Sequence, residues 1–326
     1  MNAVGVLQLV LLAGLGFALL AGLAVSVVTP AVLAGVAPWA PERRHRALLL
    51  LSVAPLVLAL VGLLAALLPS VVALRWPASD HCLAHHGHVH LCFLHPPTHA
   101  ANLTSWLVLA LAAGWLGART LRSLAELLRA ARVASRLLEP RYDDLRLGAR
   151  VLPTEAPLCL LVGVVRPAVV VSEGLLARVP PADLAVLLHH ERAHALRRDT
   201  ALRLVARATT AFVWGPARTR LLRALTLAAE QSCDEAAGRA VGDRLRVAEV
   251  ILRVERLLQT PPGLASVAAS FGGDVPARVE ALLEAPRQPG TLARPLALVS
   301  LAALGLLAAS DPLHHATESL LGALTH

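Results

Sequence analysis

Five consecutive residues in the second half of the chain have the spacing of a metal-binding helix. His190 and His194 are four positions apart, so on a helix both imidazoles lie on one face and can reach the same Zn²⁺ ion. Glu191 follows the first histidine and can take a proton from a water molecule and pass it to a leaving amine. Zinc would lower the pKa of that water and polarise a peptide carbonyl. The pattern therefore predicts peptide-bond hydrolysis with Glu191 as the general base.

Two histidines leave a zinc site short of a ligand, and a carboxylate farther along the chain can supply it. Glu230 follows a mostly apolar stretch and precedes Asp234 by four positions, so both acids share one helix face. We expect Glu230 to be the third zinc ligand and Asp234 to orient a ligand histidine. Cys233, a softer donor, and Glu235, a harder one, are alternatives for the third position. An acidic face exposed to solvent is the simpler alternative.

The residues around these motifs predict the elements that carry them. Pro180, Pro181 and Asp183 start a helix that reaches about Asp199 and contains His190 and His194. Three short strands are predicted before this helix, and several helices after it. The predicted strands are 145–152, 159–165 and 168–172, and the later helices lie near 201–213, 217–241 and 243–259.

The composition indicates a membrane protein. Of the 326 residues, 56% are hydrophobic and 16% are charged, and the mean hydropathy is +0.63. These values exclude a disordered chain and an ordinary cytosolic enzyme. Apolar runs at residues 4–28, 47–74, 102–118 and 292–310 predict about four transmembrane helices. We therefore expect a mainly α membrane protein: a membrane region over 1–118 with three spans, an α+β domain over 119–291, and a fourth span.

The distribution of arginine predicts the orientation of these spans. All 30 basic residues are Arg, and most of them lie within 119–291 or in the short loop 42–46. Because positively charged segments stay on the cytosolic side, we expect the domain 119–291 to be cytosolic. The two termini, the loop 75–101 and the tail 311–326 would then be extracytoplasmic. The basic stretch 119–136 is expected to meet anionic membrane lipid, and no direct nucleic-acid partner is expected because the stretch lacks interleaved aromatic residues.

The predicted outer loop 75–101 contains a second set of metal-ligand types. Half of the 14 histidines lie between His81 and His99. Two cysteines accompany them, and such a cluster can bind zinc or copper ions. The candidates are His81, Cys82, His85, His86, His88, His90 and Cys92. A polar loop closed by a Cys82–Cys92 disulfide is one alternative, and a pH-sensing loop is another.

Together these motifs resemble the membrane zinc metallopeptidases of the β-lactam-sensor antirepressor type, the signal transducers of penicillinase and methicillin-resistance induction. The likeness rests on His190-Glu191-x-x-His194, on Arg197-Arg198-Asp199 and on Glu230-x-x-Cys233-Asp234. It extends upstream through the segment 163–176 and downstream through 278–283. The order of three spans, a protease domain and a fourth span is also similar, so that the resemblance covers most of residues 1–310.

The resemblance implies a gluzincin-type zinc endopeptidase that acts on a cytosolic protein. In that family the signalling path ends in the loss of a winged-helix transcriptional repressor, and some members cleave themselves. A strand beside the zinc helix would hold the substrate in extended form, and Ala168–Ser172 is the expected strand. The family's sensors carry a large penicillin-binding domain after the fourth span. Residues 311–326 contain no Ser-x-x-Lys acylation site, so we expect the signal to come from a loop, a partner or the membrane.

Two other functions fit the same residues. Heat-shock-type membrane quality-control metalloproteases have a similar motif set, but their glutamate ligand usually lies farther from the histidine motif than Glu230 lies from His194. A non-catalytic, metal-responsive membrane transducer that uses the outer histidine-rich loop is the second alternative. The intact Glu191 favours a protease over such a transducer.

Overall fold

The computed structural model of the protein is mostly helical, with one small β-sheet. It describes residues 3–77, 91, 93, 103–137, 142–144, 147–164, 167–258, 274–285, 287 and 289–325. Its helices are α1 (Ala3–Val36), α2 (Pro41–Arg75), α3 (Leu103–Leu137), α4 (Glu173–Leu176), α5 (Pro181–Arg197), α6 (Asp199–Thr209), α7 (Gly215–Val241), α8 (Arg244–Leu258), α9 (Val275–Leu283), α10 (Ala293–Ala308) and α11 (Ser310–Thr325). Its strands are β1 (Tyr142–Asp144), β2 (Ala149–Leu152), β3 (Cys159–Val162) and β4 (Ala168–Ser172).

Within the described residues, two helices are long and apolar enough to cross a membrane, Val4–Val36 and Pro41–Arg75. The predicted third span corresponds to a shorter apolar part of α3, Leu103–Arg119. The predicted fourth span corresponds to α10, which with α11 forms a pair bent by 72° that has the composition of a broken span or a re-entrant loop. Two membrane-spanning helices are therefore supported by length and composition, and a total of four remains a prediction.

The last residues form a packed helix where the hydropathy pattern predicted only a tail. Helix α11 buries His314, Thr317, Glu318 and Leu321, which lie on one helical face. The Nδ1 atom of His314 lies 2.6 Å from the carbonyl oxygen of Ala66 in α2. Because three of the four buried side chains are polar, hydropathy does not identify this face as an apolar stripe.

The histidine-rich residues His81, Cys82, His85, His86, His88, His90 and Cys92 lie outside the described residues.

The two long apolar helices α1 and α2 share one hydrophobic core with α6 and α7. Buried residues of α1 (Val36), α2 (Leu48), α6 (Ala206) and α7 (Leu221 and others) form a single cluster. Leu48 and Leu221 are completely buried in it. Removing such side chains from water is the main favourable term in packing, so α7, which carries Glu230 and Asp234, is fixed to the predicted cytosolic ends of α1 and α2.

The small sheet has the strand order β1-β2-β4-β3. Strand β4 lies in its interior, parallel to β2 on one side and antiparallel to β3 on the other. This corrects the expectation that Ala168–Ser172 holds a substrate, because both edges of β4 are already hydrogen-bonded. Among the described strands, β3 is the edge strand on the side of α5, and its outer backbone groups can pair with another chain.

A close contact fixes the corner between α6 and α7 to α1. A Cβ atom added at Gly22 would lie 2.2 Å from the carbonyl oxygen of Phe212, whereas one added at Gly35 on the same helix would meet nothing within 4 Å. The amide of Trp214 also donates to Ser26 Oγ at 2.9 Å.

Gly22→Ala therefore should destabilise the protein by about 2 kcal/mol, because overpacking a tight contact costs that much. Gly35→Ala is the matched control, and we expect it to keep or raise the midpoint temperature of thermal unfolding, because alanine favours a helix. The measurement is thermal unfolding of the full chain in detergent. Equal midpoints for the two variants would show that the domain does not dock against α1 at Gly22.

Candidate metal centre

Helix α5 carries the first motif, and its two ends set its position. Pro181 occupies the first turn, where the missing N–H costs little. Val186 is buried against α7 and α8, and Leu188 is buried on another face, against the sheet. The helix ends at Arg198, which adopts the left-handed conformation with φ 54°. This turn starts α6 at once and brings Asp199 back toward His194.

Helices α5 and α7 bring three ligand types to one point. His190 Nε2 lies 3.2 Å from His194 Nε2, and each of these nitrogens lies 3.5 Å from an oxygen of Glu230. Ligands that surround one tetrahedral ion at zinc distances are about 3.3 Å apart. His190, His194 and Glu230 therefore form a group that could hold a metal ion, and they are the three residues that the sequence predicted.

A carboxylate orients each histidine. His190 Nδ1 lies 2.9 Å from Asp234 Oδ1, and His194 Nδ1 lies 2.6 Å from Asp199 Oδ2. Since each Nδ1–H is donated to a carboxylate, each Nε2 can present its lone pair to an ion. The structure thus places Asp234 where it was expected and adds Asp199, to which the sequence analysis gave no role.

Arginine side chains compensate the buried carboxylates. Arg278 of α9 donates two hydrogen bonds to the carboxylate of Asp234, at 2.8 and 2.6 Å. A guanidinium nitrogen of Arg278 also lies 3.5 Å from an oxygen of Glu230. Arg197 donates to Asp199 at 2.5 Å and to the carbonyl oxygen of Ala229 at 2.8 Å. Arg203 lies 3.4 Å from Glu230. Each buried acid of the site therefore has a positive partner, as burial requires.

The charges of the site shift one another's pKa values. Burial alone would lower the pKa of His190, but its hydrogen bonds to Asp234 and Glu230 raise it to about 9. The pKa of His194 is raised in the same way, against burial, by Asp199 and Glu230. Burial alone would raise the pKa of Glu230, yet the two histidines hold it well below its usual range. Without an ion, protonation of the histidine side therefore offsets the negative charge of the carboxylates in this site.

Glu191 faces the same space but does not share these hydrogen bonds. It lines a cavity of about 200 Å³ together with His190, His194 and Glu230. Burial raises the pKa of Glu191, with the two histidines acting in the opposite direction. A carboxylate with a raised pKa next to a metal group can accept a proton and return it. Residues 158–161, in and before the edge strand β3, line another wall of the cavity.

A second set of metal-ligand types, His194, Asp199 and Cys233, lies close by and is completely buried. Burial raises the pKa of the Cys233 thiol, which keeps the sulfur protonated, and only a thiolate is a good zinc ligand. Asp199 is also already bonded to Arg197 and His194. This set is therefore the weaker of the two groups, and Cys233 does not complete the first one.

Glu235, the other alternative ligand, is turned away from the site. One of its oxygens accepts a hydrogen bond from Arg244 at 2.6 Å, at the start of α8. The simpler alternative of a solvated acidic face is wrong for this stretch, since Glu230 and Asp234 are 2% and 1% exposed.

The site also touches the first turns of membrane helix α2. Arg44 is hydrogen-bonded to the side chain of Gln231, the residue that follows Glu230. The side-chain nitrogen Nε2 of Gln231 donates in turn to the carbonyl oxygen of Ala277 at 2.8 Å, and Ala277 precedes Arg278 in the chain. Two hydrogen bonds thus link α2, through Gln231, to the first turn of α9, the helix that carries Arg278.

The residues that the sequence analysis passed over are the supporting ones. Arg278 and the Arg197–Asp199 pair were noted only as part of a family likeness, and Arg44 only as a positive charge. Spacing could have identified Asp199, because it follows His194 by five positions just past the helix end. No local pattern points to Arg278, which comes from a distant helix.

Comparison of the chain with protein-family models, with curated proteins and with solved structures gives no match in any of the three.

The raised histidine pKa values make zinc binding dependent on pH. Zinc must displace the proton of His190, so its affinity should rise about tenfold per pH unit up to about pH 9. Competition with a chromophoric chelator between pH 6.5 and 8.5 measures this. The same affinity at both ends of that range would show that the histidines are not the ligands.

The orienting role of Asp234 predicts a difference between neighbouring acids. Asp234→Asn should weaken zinc binding about 10- to 100-fold, because the amide is a poorer acceptor for His190 and leaves Arg278 without its partner. Glu235→Gln, one residue away, should leave the affinity unchanged. Chelator competition at pH 7.5 compares the zinc affinities of the two variants. A larger loss of affinity in Glu235→Gln than in Asp234→Asn would make Glu235 the residue that supports the site.

Proposed function

We propose that this protein is a membrane-bound zinc endopeptidase that cleaves a cytosolic protein. The observation that supports this most is that Glu191 opens onto the same cavity as His190, His194 and Glu230. A purely structural zinc site has four protein ligands, whereas a catalytic one leaves a position open. The site matches the catalytic case, because three ligands converge and the adjacent carboxylate of Glu191 is not one of them.

The fit of the residues to zinc rests on chemistry as well as on distance. Two imidazoles and one carboxylate are donors that zinc accepts, and each imidazole has its outer nitrogen fixed by a carboxylate. Bound there, zinc would supply a Lewis acid that activates water and polarises the scissile carbonyl. Arg278 keeps Asp234 ionised, and the two histidines do the same for Glu230, so that both carboxylates can act as acceptors or ligands at neutral pH.

In the proposed reaction Glu191 moves the proton. Its carboxylate accepts a proton from the attacking water and then protonates the nitrogen of the leaving amine, so that the peptide C–N bond breaks and two free ends remain. Its raised pKa helps the first transfer, because a carboxylate whose pKa lies nearer to neutral is a stronger base toward the attacking water. His190 and His194 remain neutral donors, held by Asp234 and Asp199.

The substrate would lie along strand β3. This strand has a free edge beside α5, and residues 158–161 line the cavity. A peptide in extended form can add to such an edge through backbone hydrogen bonds, whatever its side chains are. Val247, Val250 and Ile251 of α8 line the opposite part of the cavity, which gives the site an apolar wall.

The identity of the substrate rests on the family resemblance. A winged-helix transcriptional repressor, or the protein itself, is the substrate that the resemblance implies, with the domain 119–291 in the cytosol of a multi-pass membrane protein. The arginine distribution supports that orientation.

Glu191→Gln should abolish cleavage while zinc stays bound. Losing the general base should reduce turnover by about 10²- to 10⁴-fold, while the three ligands are untouched. The measurement is mass spectrometry of new protein N-termini in cells that produce the wild type or the variant, together with zinc content after purification. Glu249→Gln is the control, since Glu249 lies on the surface of α8 with its side chain 63% exposed.

The same pair of variants separates the protease from the non-catalytic transducer. New N-termini that appear with the wild type and with Glu249→Gln, but not with Glu191→Gln, would support the protease. An identical set of N-termini for all three, with zinc bound in each, would overturn it.

A further inference from the structure

A groove that shares no lining residue with the cavity at the metal centre lies between α1, α3 and the corner that joins α6 to α7. We call it the α1–α3 groove. It has a volume of about 430 Å³. Its apolar lining consists of Leu15, Leu19, Ala112, Trp115, Phe212 and Trp214. The rings of Trp115 and Phe212 are 5.5 Å apart, and Trp115 and Trp214 are 45% and 56% exposed.

Positive charge gathers at one end of this groove. Arg119 lines it and lies 4.7 Å from the centre of the Trp115 ring, which it covers. Arg218 reaches the same corner and donates to the carbonyl oxygens of Thr210 at 3.1 Å and Arg207 at 3.2 Å. The pKa of Arg218 is lowered, first by burial and then by the charges of Arg119 and Arg207. Three guanidinium groups thus approach one another closely enough to repel.

The start of α7 adds to this positive potential. Helix α7 has 27 residues and begins at Gly215, which also lines the groove. Trp214 provides no side-chain cap, and the first turn contains no acidic residue. The free N–H groups and the helix dipole therefore favour an anion at this place.

The groove has a charged end and an apolar end, as a site for one lipid molecule would need. Arg119 is the first charged residue after the apolar part of α3, so the arginine end lies where predicted span three leaves the membrane. Leu15 and Ala112 lie about one to two turns deeper along their helices. The charged end is thus at headgroup level and the apolar end in the hydrocarbon, and the predicted orientation makes this the inner leaflet.

We infer that the α1–α3 groove binds one anionic phospholipid, with its phosphate at Arg119 and the start of α7 and an acyl chain along Leu15, Leu19 and Ala112. Arginine suits phosphate because its planar group donates two parallel hydrogen bonds. A free phosphate would leave the apolar length of the groove unused, and a neutral lipid would leave the arginine charges uncompensated. The lipid would bridge α1, α3 and the α6–α7 corner.

Native mass spectrometry of the full chain in detergent tests this with phosphatidylglycerol and phosphatidylcholine of equal chain length. The wild type should retain one phosphatidylglycerol per chain, about tenfold more than phosphatidylcholine. Arg119→Gln should reduce phosphatidylglycerol to the level of phosphatidylcholine. Arg122→Gln, an exposed arginine on the same helix, should keep wild-type binding.

A second variant and a soluble competitor complete the test. Ala112→Trp fills the apolar part while leaving every arginine, and it should also lose phosphatidylglycerol. Glycerol 3-phosphate should not displace the lipid, and if it does so completely the ligand is a free phosphate and the lipid proposal fails. Equal retention of the two lipids by the wild type, or unchanged retention in Arg119→Gln with a wild-type thermal midpoint, would overturn the inference.

Discussion

Three carboxylates buried in one place need positive partners, and that requirement organises the centre of this protein. Glu230, Asp234 and Asp199 are almost inaccessible to solvent, and an isolated buried carboxylate would instead take up a proton. Arg278, Arg197 and the two histidines hold all three carboxylates ionised. The same contacts turn both imidazoles toward Glu230, so the compensation of charge and the assembly of a metal site are one arrangement.

The histidine protons explain how such a site can exist before an ion arrives. A proton on His190 offsets the charge of Glu230 while no ion is bound, and zinc then replaces that proton rather than entering a cluster of unpaired acids. Because the arginines remain after this exchange, the ligands change their charge but keep their positions. A site of this kind is organised in advance for its ion.

The membrane helices are part of this organisation. A common core joins α1 and α2 to α6 and α7, and Arg44 of α2 is bonded to Gln231 beside Glu230. A displacement of α2 along its axis would therefore reach the metal ligands through only two side chains. This gives the proposed peptidase a physical route between the bilayer and its active site.

The sequence predicted the parts of the site that local spacing determines. His190, Glu191 and His194 occupy one helix turn, and Glu230 with Asp234 another, so helical periodicity was enough to place them on common faces. It also predicted the long apolar helices α1 and α2, because hydropathy alone carries that signal.

What the sequence could not predict depends on contacts between distant segments. The order of strands in the sheet places β3 rather than β4 at the edge, and nothing in the two apolar runs distinguishes them. Arg278 reaches Asp234 from another helix, 44 positions away in the chain. The fold of α11 against α2 depends on His314 and Glu318, polar residues that a hydropathy scale counts as exposed.

The central claim is that His190, His194 and Glu230 surround one zinc ion, and X-ray absorption at the zinc edge of the purified full chain tests it most directly. Our account predicts two imidazole nitrogens and carboxylate or water oxygens at about 2.0–2.1 Å, with no sulfur. A zinc–sulfur distance of about 2.3 Å would place the ion at Cys233 instead and contradict the account, as would a fully folded protein that binds no zinc.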